Sequence, residues 1–388
     1  MGTHALLSAS SAHRWMHCNK SARLEESFEN TTSIFAEEGT FMHELGELKL
    51  SRYIGAVKES IYKKKLKELQ SNEFFNLEIE EAVEVYVAFA IELIEATKQR
   101  CKDPIFLLEQ RLDFSKYVKS GFGTGDLVIV ADGTLEIVDL KGGKGVAVSA
   151  ECNPQMQLYA LGALILFDCL YDIQTVRMTI CQPRLDNIST YELSAEELLT
   201  WAEDVLKPAA QLAWDGEGEF DPSEYTCKFC RAKATCRARA EKNLKMARFE
   251  FRQAALLTKD EVAEVLSQAD DIAKWCKDIW AWAEARAIDG EDFEGFKIVS
   301  GRSNRAYGDE KSVIEKLTEA GYSDDEIYAR NLKGITALEK VLGKKVFSEV
   351  LAGLITKPPG KYTMVSESDK RQAVTVINTA AADFKEDI

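Results

Sequence analysis

Long apolar segments are missing from this chain of 388 residues. No run reaches the about 18 consecutive apolar residues that a helix needs to cross a membrane. The start of the chain lacks a secretory-signal pattern, because its apolar stretch, Leu6-Leu7, is too short. Internal repeats and low-complexity segments are missing as well. These absences predict a globular cytoplasmic protein with no membrane partner, long enough for two or three domains.

Positive charge is also scarce, since the net charge is −15 at pH 7. That balance argues against a general nucleic-acid-binding protein. Two stretches, 1–23 and 226–239, nevertheless contain basic residues and no acidic ones. Their basic residues are Arg14, Lys20, Arg23, Lys228, Arg231, Lys233, Arg237 and Arg239. Charge alone favours a solvated surface, and the alternative is a local basic surface that binds a phosphate backbone.

Nine cysteines are present, and a reducing compartment favours metal ligands or buried thiols over disulfides. Cys227, Cys230 and Cys236 have the spacing C-x2-C-x5-C, which is close enough for three thiols to bind one metal centre. Cys18, in the other acid-free stretch, is the best candidate for a fourth ligand, and His17 is a weaker one. Spacing does not distinguish zinc from an iron–sulfur cluster, and a chance group of buried thiols is the alternative. The other cysteines are predicted core residues: Cys101, Cys152, Cys169, Cys181 and Cys276.

The segment 125–141 predicts a β-hairpin closed by the two-residue turn Asp132-Gly133. In that register Asp126 lies opposite Asp139, and Lys141 points to the same face as Asp139. Like charges at opposed positions destabilise a sheet. One interpretation is a divalent-metal site with a catalytic lysine, and the other is a structural aspartate–lysine ion pair. Apolar residues on both faces predict inner strands that are covered on both sides.

Two helical motifs add polar side chains. His43 begins a zincin-like pattern, His-Glu-x-x-His, but Glu47 stands where the second histidine ligand would be. A lone histidine is more often a core residue than a metal ligand. Gln155 and Tyr159 share one face in the first turns of a predicted helix. They present an amide and a phenol either to a substrate or simply at the polar end of a buried helix.

Capping residues and hydrophobic periodicity predict alternating helices and strands over the first two-thirds of the chain, an order typical of an α/β or α+β fold. The predicted helices are a short one that follows Ser8–Ser11 and ends at Cys18, then 36–56, 73–100, 154–170 and 194–215. The predicted strands are 105–112, the 126–141 hairpin and 176–182. Further on we expect a helix at 258–288, a strand near 296–300, helices near 309–320 and 334–354, and an extended tail at 357–371. The predicted domains are 1–245 and a mainly helical region, 246–388.

Taken in order, these motifs resemble the RecB-like branch of the PD-(D/E)XK nuclease superfamily. Its helical Gly-x-x-x-His step corresponds to Gly39–His43, its Gly-x-Asp strand to Gly125-Asp126, its (Asp/Glu)-x-Lys motif to Asp139–Lys141 and its Gln-x-x-x-Tyr motif to Gln155–Tyr159. One early and three late cysteines are similar to the iron–sulfur members, such as the CRISPR-associated RecB-like exonucleases and the AddB subunit. The arrangement also resembles an uncharacterised phage-associated family of this superfamily. Residues 250–388 have no counterpart in the well-studied nucleases.

The resemblance implies a restriction-endonuclease-like core with a mixed central sheet. It also implies a Mg²⁺- or Mn²⁺-dependent deoxyribonuclease, an exonuclease of phage or bacterial DNA replication, recombination or repair. Its substrate would be DNA that is single-stranded or has ends, and its partners would be replication or recombination proteins. His43, Asp126, Asp139 and the Leu140 carbonyl would hold the divalent metal, and Lys141 would act on the attacking water.

The resemblance also assigns the cysteines and the DNA contacts. A [4Fe–4S] cluster, or alternatively Zn²⁺, would be held by Cys18, Cys227, Cys230 and Cys236. The residues expected to contact DNA are Gln155, Tyr159, Lys228, Arg231, Lys233 and Arg237.

Two other functions fit the same motifs. The first is a non-catalytic DNA-binding or scaffolding protein on a nuclease fold, with a structural iron–sulfur or zinc centre. The complete set of His43, Asp126, Asp139 and Lys141 argues against it, because a decayed site loses members. The second is a metal-dependent hydrolase of a small phosphoester, and the two basic stretches favour a longer polyanion instead.

Overall fold

Five strands form one mixed sheet in the computed structural model, which describes residues 5–28, 33–167, 169–247, 259–299, 310–320, 323, 327–328, 342–351 and 354. The strands lie side by side in chain order: β1 (Ile105–Asp113), β2 (Phe122–Ala131), β3 (Thr134–Leu140), β4 (Thr175–Gln182) and β5 (Asn187–Ser194). Only the β3–β4 pair is parallel among these strands. A parallel pair requires a long crossover, and a helix between β3 and β4 supplies it.

The α-helices precede, separate and follow the strands along the chain, and several of them pack on the two faces of the sheet. They are α1 (Ala12–Trp15), α2 (Ser21–Glu25), α3 (Ile34–Tyr53), α4 (Glu59–Gln70), α5 (Leu77–Arg100), α6 (Pro154–Phe167), α7 (Ala195–Trp201), α8 (Lys207–Asp215), α9 (Glu224–Cys227), α10 (Arg237–Ala247) and α11 (Lys259–Ile288). Short 3₁₀ turns occur at Ala9–Ser11 and Pro183–Leu185, and one π-helical turn, Ala202–Leu206, joins α7 to α8.

The β2–β3 hairpin has the register predicted from its turn. Ala131 pairs with Thr134, and pairing continues outward as far as Leu127 and Val138. Gly133 closes the turn with a φ of 76°, a left-handed conformation that glycine adopts without steric cost. The hairpin and its register are therefore confirmed, but the ladder ends one pair before the predicted Asp126–Asp139 opposition, so the two aspartates lie at its open end.

Helices cover both faces of the hairpin. On one face the buried Val128 and Ile137 pack into a cluster with the apolar residues of α6. On the other face the buried Leu127 and Val138 pack into a cluster with α3 and α5. Because side chains alternate along a strand, each hairpin strand contributes to both clusters. The expected α/β fold, a mixed sheet flanked by helices, is confirmed.

The helices that flank the site begin at capping side chains. Ser33 and Asn76 each accept a hydrogen bond from the backbone N–H three residues further on, at the starts of α3 and α5. Asn153 Oδ1 accepts a hydrogen bond from the N–H of Gln155 at 3.0 Å, and Pro154 occupies the first position of α6. The Asn153-Pro154 signal is the one that predicted the start of its helix, whereas α3 and α5 begin at 34 and 77 instead of the predicted 36 and 73.

Some elements differ from the sequence prediction. Helix α4 was not predicted; its Leu66 and Leu69 pack against the core, but none of its residues is fully buried. Strand β5 was missed as well, because it pairs only with β4 at the sheet edge and most of its side chains are half-exposed or exposed. The single helix predicted at 194–215 is interrupted by the π-helical turn that precedes Pro208.

The chain divides into two units, Met1–Asp289 and Gly290–Ile388, later than the predicted boundary at 245. Helix α11 belongs to the first unit, because Arg239 of α10 donates hydrogen bonds to its Asp278 at 2.5 Å and its Asp271 at 3.3 Å. Within the described residues, we find no helix that is both long and apolar enough to cross a membrane.

The second unit contains α12 (Glu310–Glu319) and α13 (Lys344–Val350), which fall within two predicted helices. The strand predicted near 296–300 is wrong for residues 296–299, which are irregular. Phe296, Ile298 and Val299 are exposed there, and no strand of the described sheet pairs with them. Ser300, residues 334–341 and the tail 357–371 lie outside the described residues.

We predict that the hairpin core determines the stability of the first unit. Leu127 is fully buried, whereas Leu77 at the start of α5 is 71% exposed. Leu127→Ala is expected to lower the free energy of unfolding by about 2–5 kcal/mol, because it leaves a cavity. Leu77→Ala is expected to change it by less than about 0.5 kcal/mol. Urea unfolding followed by circular dichroism compares the two, and equal losses would contradict this placement of the core.

Candidate metal and lysine site

The open end of the hairpin brings together the residues singled out in the sequence. His43 on α3 places its Nδ1 3.1 Å from Asp126 Oδ1. The other oxygen of Asp126 accepts a hydrogen bond from the backbone N–H of Leu140 at 2.6 Å. Lys141 Nζ lies 2.9 Å from Asp139 Oδ2. Two ion pairs, imidazole with carboxylate and ammonium with carboxylate, therefore lie side by side at the ends of β2 and β3.

A chain of hydrogen bonds extends from Lys141 to the start of α6. Lys141 Nζ donates to Gln155 Oε1 at 3.0 Å, and Gln155 Nε2 donates to Tyr159 Oη at 3.0 Å. Gly123 of β2 makes room for this ring, because a Cβ there would lie 2.5 Å from Tyr159 Cε1. The two α6 side chains thus adjoin the lysine, and their predicted contact with DNA stays a prediction.

Glu109 of β1 is a site residue that the sequence did not reveal. The ladder between β1 and β2 pairs Leu108 with Leu127 and Gln110 with Gly125, but Glu109 and Asp126 between them are unpaired. Glu109 has a φ of 46°, in the left-handed region that non-glycine residues rarely adopt. Nothing in the local pattern predicts this conformation, so a strand glutamate looked like any other.

The carboxylates hold His43 in its charged form. Burial opposes protonation of the His43 imidazole, but the charge and hydrogen bond of Asp126, with the charges of Asp139 and Glu109, raise its pKa to about 9. Burial, together with the charge of Asp126, raises the pKa of Glu109 to about 7, even though His43 opposes that shift. Burial also raises the pKa of Asp139, and Lys141 opposes it. Burial thus disfavours the charged forms of these two carboxylates, and a cation bound beside them would stabilise those forms.

The segment that follows Lys141 is held in place from β4. Arg184 donates a hydrogen bond to the Gly142 carbonyl at 3.0 Å and pairs with Glu38 of α3. Gln182 accepts a hydrogen bond from the N–H of Val148 at 2.7 Å. These bonds connect the loop between β3 and α6 to the end of β4, so the loop position beside Lys141 is defined by buried side chains.

Four cysteines form a second centre in the structure. Cys18, Cys227, Cys230 and Cys236 line one small cavity, with Arg14 and Lys233 among its other lining residues. The expected meeting of the early cysteine with the three late ones is therefore seen in the fold. His17, the weaker candidate, is not among the lining residues and packs edge-on against Tyr225 with ring centroids 5.8 Å apart.

The spacing of the four sulfur atoms bears on what they could hold. Among the described cysteines, no three Sγ atoms lie within 4.8 Å of one another. Four thiolates bound to one zinc ion, each about 2.3 Å from it, would lie about 3.8 Å apart. Burial raises the pKa of the Cys230 thiol to about 12 and also raises those of Cys18 and Cys227, so metal binding would have to release their protons.

Buried charges join the N-terminal helices to the cysteine segment. Arg14 Nη2 lies 2.7 Å from Glu25 Oε2, and both side chains are buried. Glu25 Oε1 accepts a hydrogen bond from the backbone N–H of Arg231, next to Cys230, at 2.7 Å. The early and late parts of the cysteine centre are therefore connected without any metal.

The four basic residues expected to contact DNA all lie on or beside this centre. The Lys228 ammonium lies over the exposed Phe229 ring, 5.3 Å from its centroid. Lys233 forms an ion pair with Asp278 at 3.0 Å, and the Arg231 side chain donates to the Phe28 carbonyl at 3.1 Å. Arg237 is exposed at the start of α10. Lys233 and Arg231 thus have structural contacts, and a role for any of the four in DNA binding stays a prediction.

Residues 4–372 match a protein family described as "Protein of unknown function (DUF2800)". Among solved structures, the chain is similar to one titled "Crystal structure of SSO0001", at 16% sequence identity and a TM-score of 0.23. That similarity covers 51% of this chain and 96% of the other. At this TM-score we draw no conclusion from the likeness.

We predict that Asp126 maintains the charge on His43. In metal-free protein with a chelator, the His43 ring should titrate near pH 9, because Asp126 favours the imidazolium. Its pKa is raised above the unfolded value of about 6.5, so the stabilisation is complete below that pH and is lost as the pH rises through about 9. In Asp126→Asn the midpoint should fall, and in the distant turn variant Asp132→Asn it should not. An unchanged NMR midpoint in Asp126→Asn would contradict the assignment.

Proposed function

The chain belongs to the DUF2800 family, whose function is unknown, and we propose that it is a divalent-metal-dependent nuclease that hydrolyses phosphodiester bonds in DNA. The observation that carries the proposal is the convergence of His43, Asp126, Asp139 and Lys141 at one end of the sheet. Buried carboxylates beside an imidazole and an ammonium supply both metal ligands and a positive charge for a phosphate.

His43, Asp126 and Asp139 would hold Mg²⁺ or Mn²⁺, which when bound activates water and offsets charge on the phosphate. Lys141 stands beside them with its ammonium held by Asp139 and Gln155. From that position it would neutralise the negative charge that builds up on the phosphate, or orient the attacking water. Because two partners fix the ammonium, little reorganisation is needed when the substrate binds.

Gln155 and Tyr159 continue the hydrogen-bonded chain that starts at the Lys141 ammonium. A substrate phosphate or sugar that displaced part of this chain would accept hydrogen bonds from the same donor groups, those of Lys141 and Gln155. We therefore propose that they position DNA next to the lysine.

We propose that the four cysteines hold a structural [4Fe–4S] cluster. Their common cavity supports a metal centre, and four cysteine thiolates are the usual ligands of such a cluster. Cys18 would then anchor α1 and α2 to the segment that carries Cys227, Cys230 and Cys236. In this proposal the cluster is structural and takes no part in the hydrolysis.

The nuclease proposal is tested on the full chain with defined single-stranded, duplex and branched DNA in Mg²⁺ or Mn²⁺. Lys141→Ala is expected to reduce the cleavage rate at least about 100-fold, in the range typical of a lost charge or proton-transfer group. Lys144→Ala is the matched control. That lysine is half-exposed three residues further on and pairs with Glu78, so its loss should leave the rate unchanged.

Unchanged cleavage in Lys141→Ala would contradict the assigned role of the lysine. Absence of cleavage on every substrate by the wild type, with DNA binding retained, would instead favour the non-catalytic DNA-binding alternative.

The cluster is tested by purifying the protein without oxygen and measuring its visible absorption and its metal content. We expect the absorption of an iron–sulfur centre and about four iron atoms per chain. Cys230→Ser should lose iron, whereas Cys169→Ser, at an exposed thiol away from the cavity, should keep it. A colourless protein with one zinc ion per chain would overturn the cluster in favour of zinc.

A further inference from the structure

Glu109 interrupts the sheet at the point where it faces Asp126. The β1–β2 ladder is regular on both sides of this position and in the same register, so no residue has been inserted. The break comes from the left-handed backbone of Glu109 itself, which has a φ of 46°. A glutamate with regular strand conformation would pair with Asp126 in the ladder. Glu109 does not pair there, and its carboxylate lies instead near the imidazole of His43.

We propose that Glu109 is a direct ligand of a divalent cation that it holds together with His43 and Asp126. The inference deepens the metal-dependent activity proposed above and rests on it. It adds to the expected metal site a strand residue that none of the motifs contains. Asp139, the other carboxylate expected to hold the metal, lies against Lys141.

The distances between the three side chains suit an octahedral ion. Mg²⁺ binds its ligands at about 2.1 Å, so neighbouring ligand atoms lie about 3.0 Å apart and opposite ones about 4.2 Å apart. His43 Nδ1 lies 3.1 Å from Asp126 Oδ1 and 4.0 Å from Glu109 Oε1. Both distances lie within the range that the ligand atoms of one such ion would span. All three ligand atoms lie within 4.8 Å of one another.

The balance of charge points to the same occupant. Three carboxylates, those of Glu109, Asp126 and Asp139, meet here with the ammonium of Lys141 and the imidazole of His43. Within the described part of the chain, Glu109 forms its ion pair with the His43 imidazole at 4.0 Å. The same nitrogen lies closer to Asp126, at 3.1 Å. A divalent cation between them would compensate the charge of Glu109, and carboxylates are ligands that Mg²⁺ and Mn²⁺ accept.

The test measures Mn²⁺ binding to the full chain by calorimetry and by electron paramagnetic resonance of the free ion. Glu109→Gln and Glu109→Asp are both expected to weaken binding at least about 10-fold, the lower limit seen when even an outer partner of a metal site is lost. The second variant keeps the charge but shortens the side chain by one methylene. Glu47→Gln is the control, because Glu47 is exposed and its charge acts on Glu109, yet it is outside the three-residue group.

The outcomes separate a ligand from a nearby charge. The proposal is supported if both Glu109 variants lose affinity while Glu47→Gln binds like the wild type. It is overturned if Glu109→Gln binds Mn²⁺ like the wild type, if Glu109→Asp does so while Glu109→Gln is weakened, or if the wild type binds no Mn²⁺. Circular dichroism of the metal-free variants checks that each is folded.

DNA cleavage measured on the same preparations keeps this inference distinct from the proposed function. A wild type that binds Mn²⁺ through Glu109 but cleaves no DNA would overturn the nuclease alone. A wild type that cleaves DNA, with Glu109→Gln binding Mn²⁺ normally, would overturn the Glu109 assignment alone.

Discussion

The confinement of Asp126 and Asp139 at the open end of a hairpin covered on both faces is the constraint on which the site depends. Apolar side chains above and below the strands exclude water from most of their length. A carboxylate in that setting needs a cation or a hydrogen-bond donor. Asp126 receives one from His43 and one from the Leu140 N–H, and Asp139 lies beside Lys141.

Each layer of the fold contributes one part of that compensation. Helix α3 brings the imidazole from one side of the sheet, and α6 brings the amide and phenol that extend the lysine's hydrogen bonds on the other. Strand β1 supplies a further carboxylate by leaving its regular conformation. A site assembled from separate elements in this way is rigid, because each side chain is held by the packing of its own element.

The cysteine centre is likewise assembled from distant segments of the first unit and is held together by buried charges. Its four thiols come from the two acid-free stretches, and the Arg14–Glu25 pair with the Arg231 N–H joins those stretches independently of the thiols. Ion pairs from Arg239 to α11 then extend the first unit to Asp289. The basic residues of the two acid-free stretches therefore have two roles. Some pair with acidic side chains within the protein, and others remain exposed at the surface.

Local features of the sequence determined the hairpin. A two-residue turn fixes the register, and the period of two in a strand then places Asp126 and Asp139 together and aligns Lys141 with them. Capping residues likewise determined the starts of α5 and α6. Only the tertiary structure decided that Glu109 joins the site, because its backbone conformation depends on what packs around β1. The same holds for the meeting of Cys18 with Cys227, since chain spacing alone does not define contacts between distant segments.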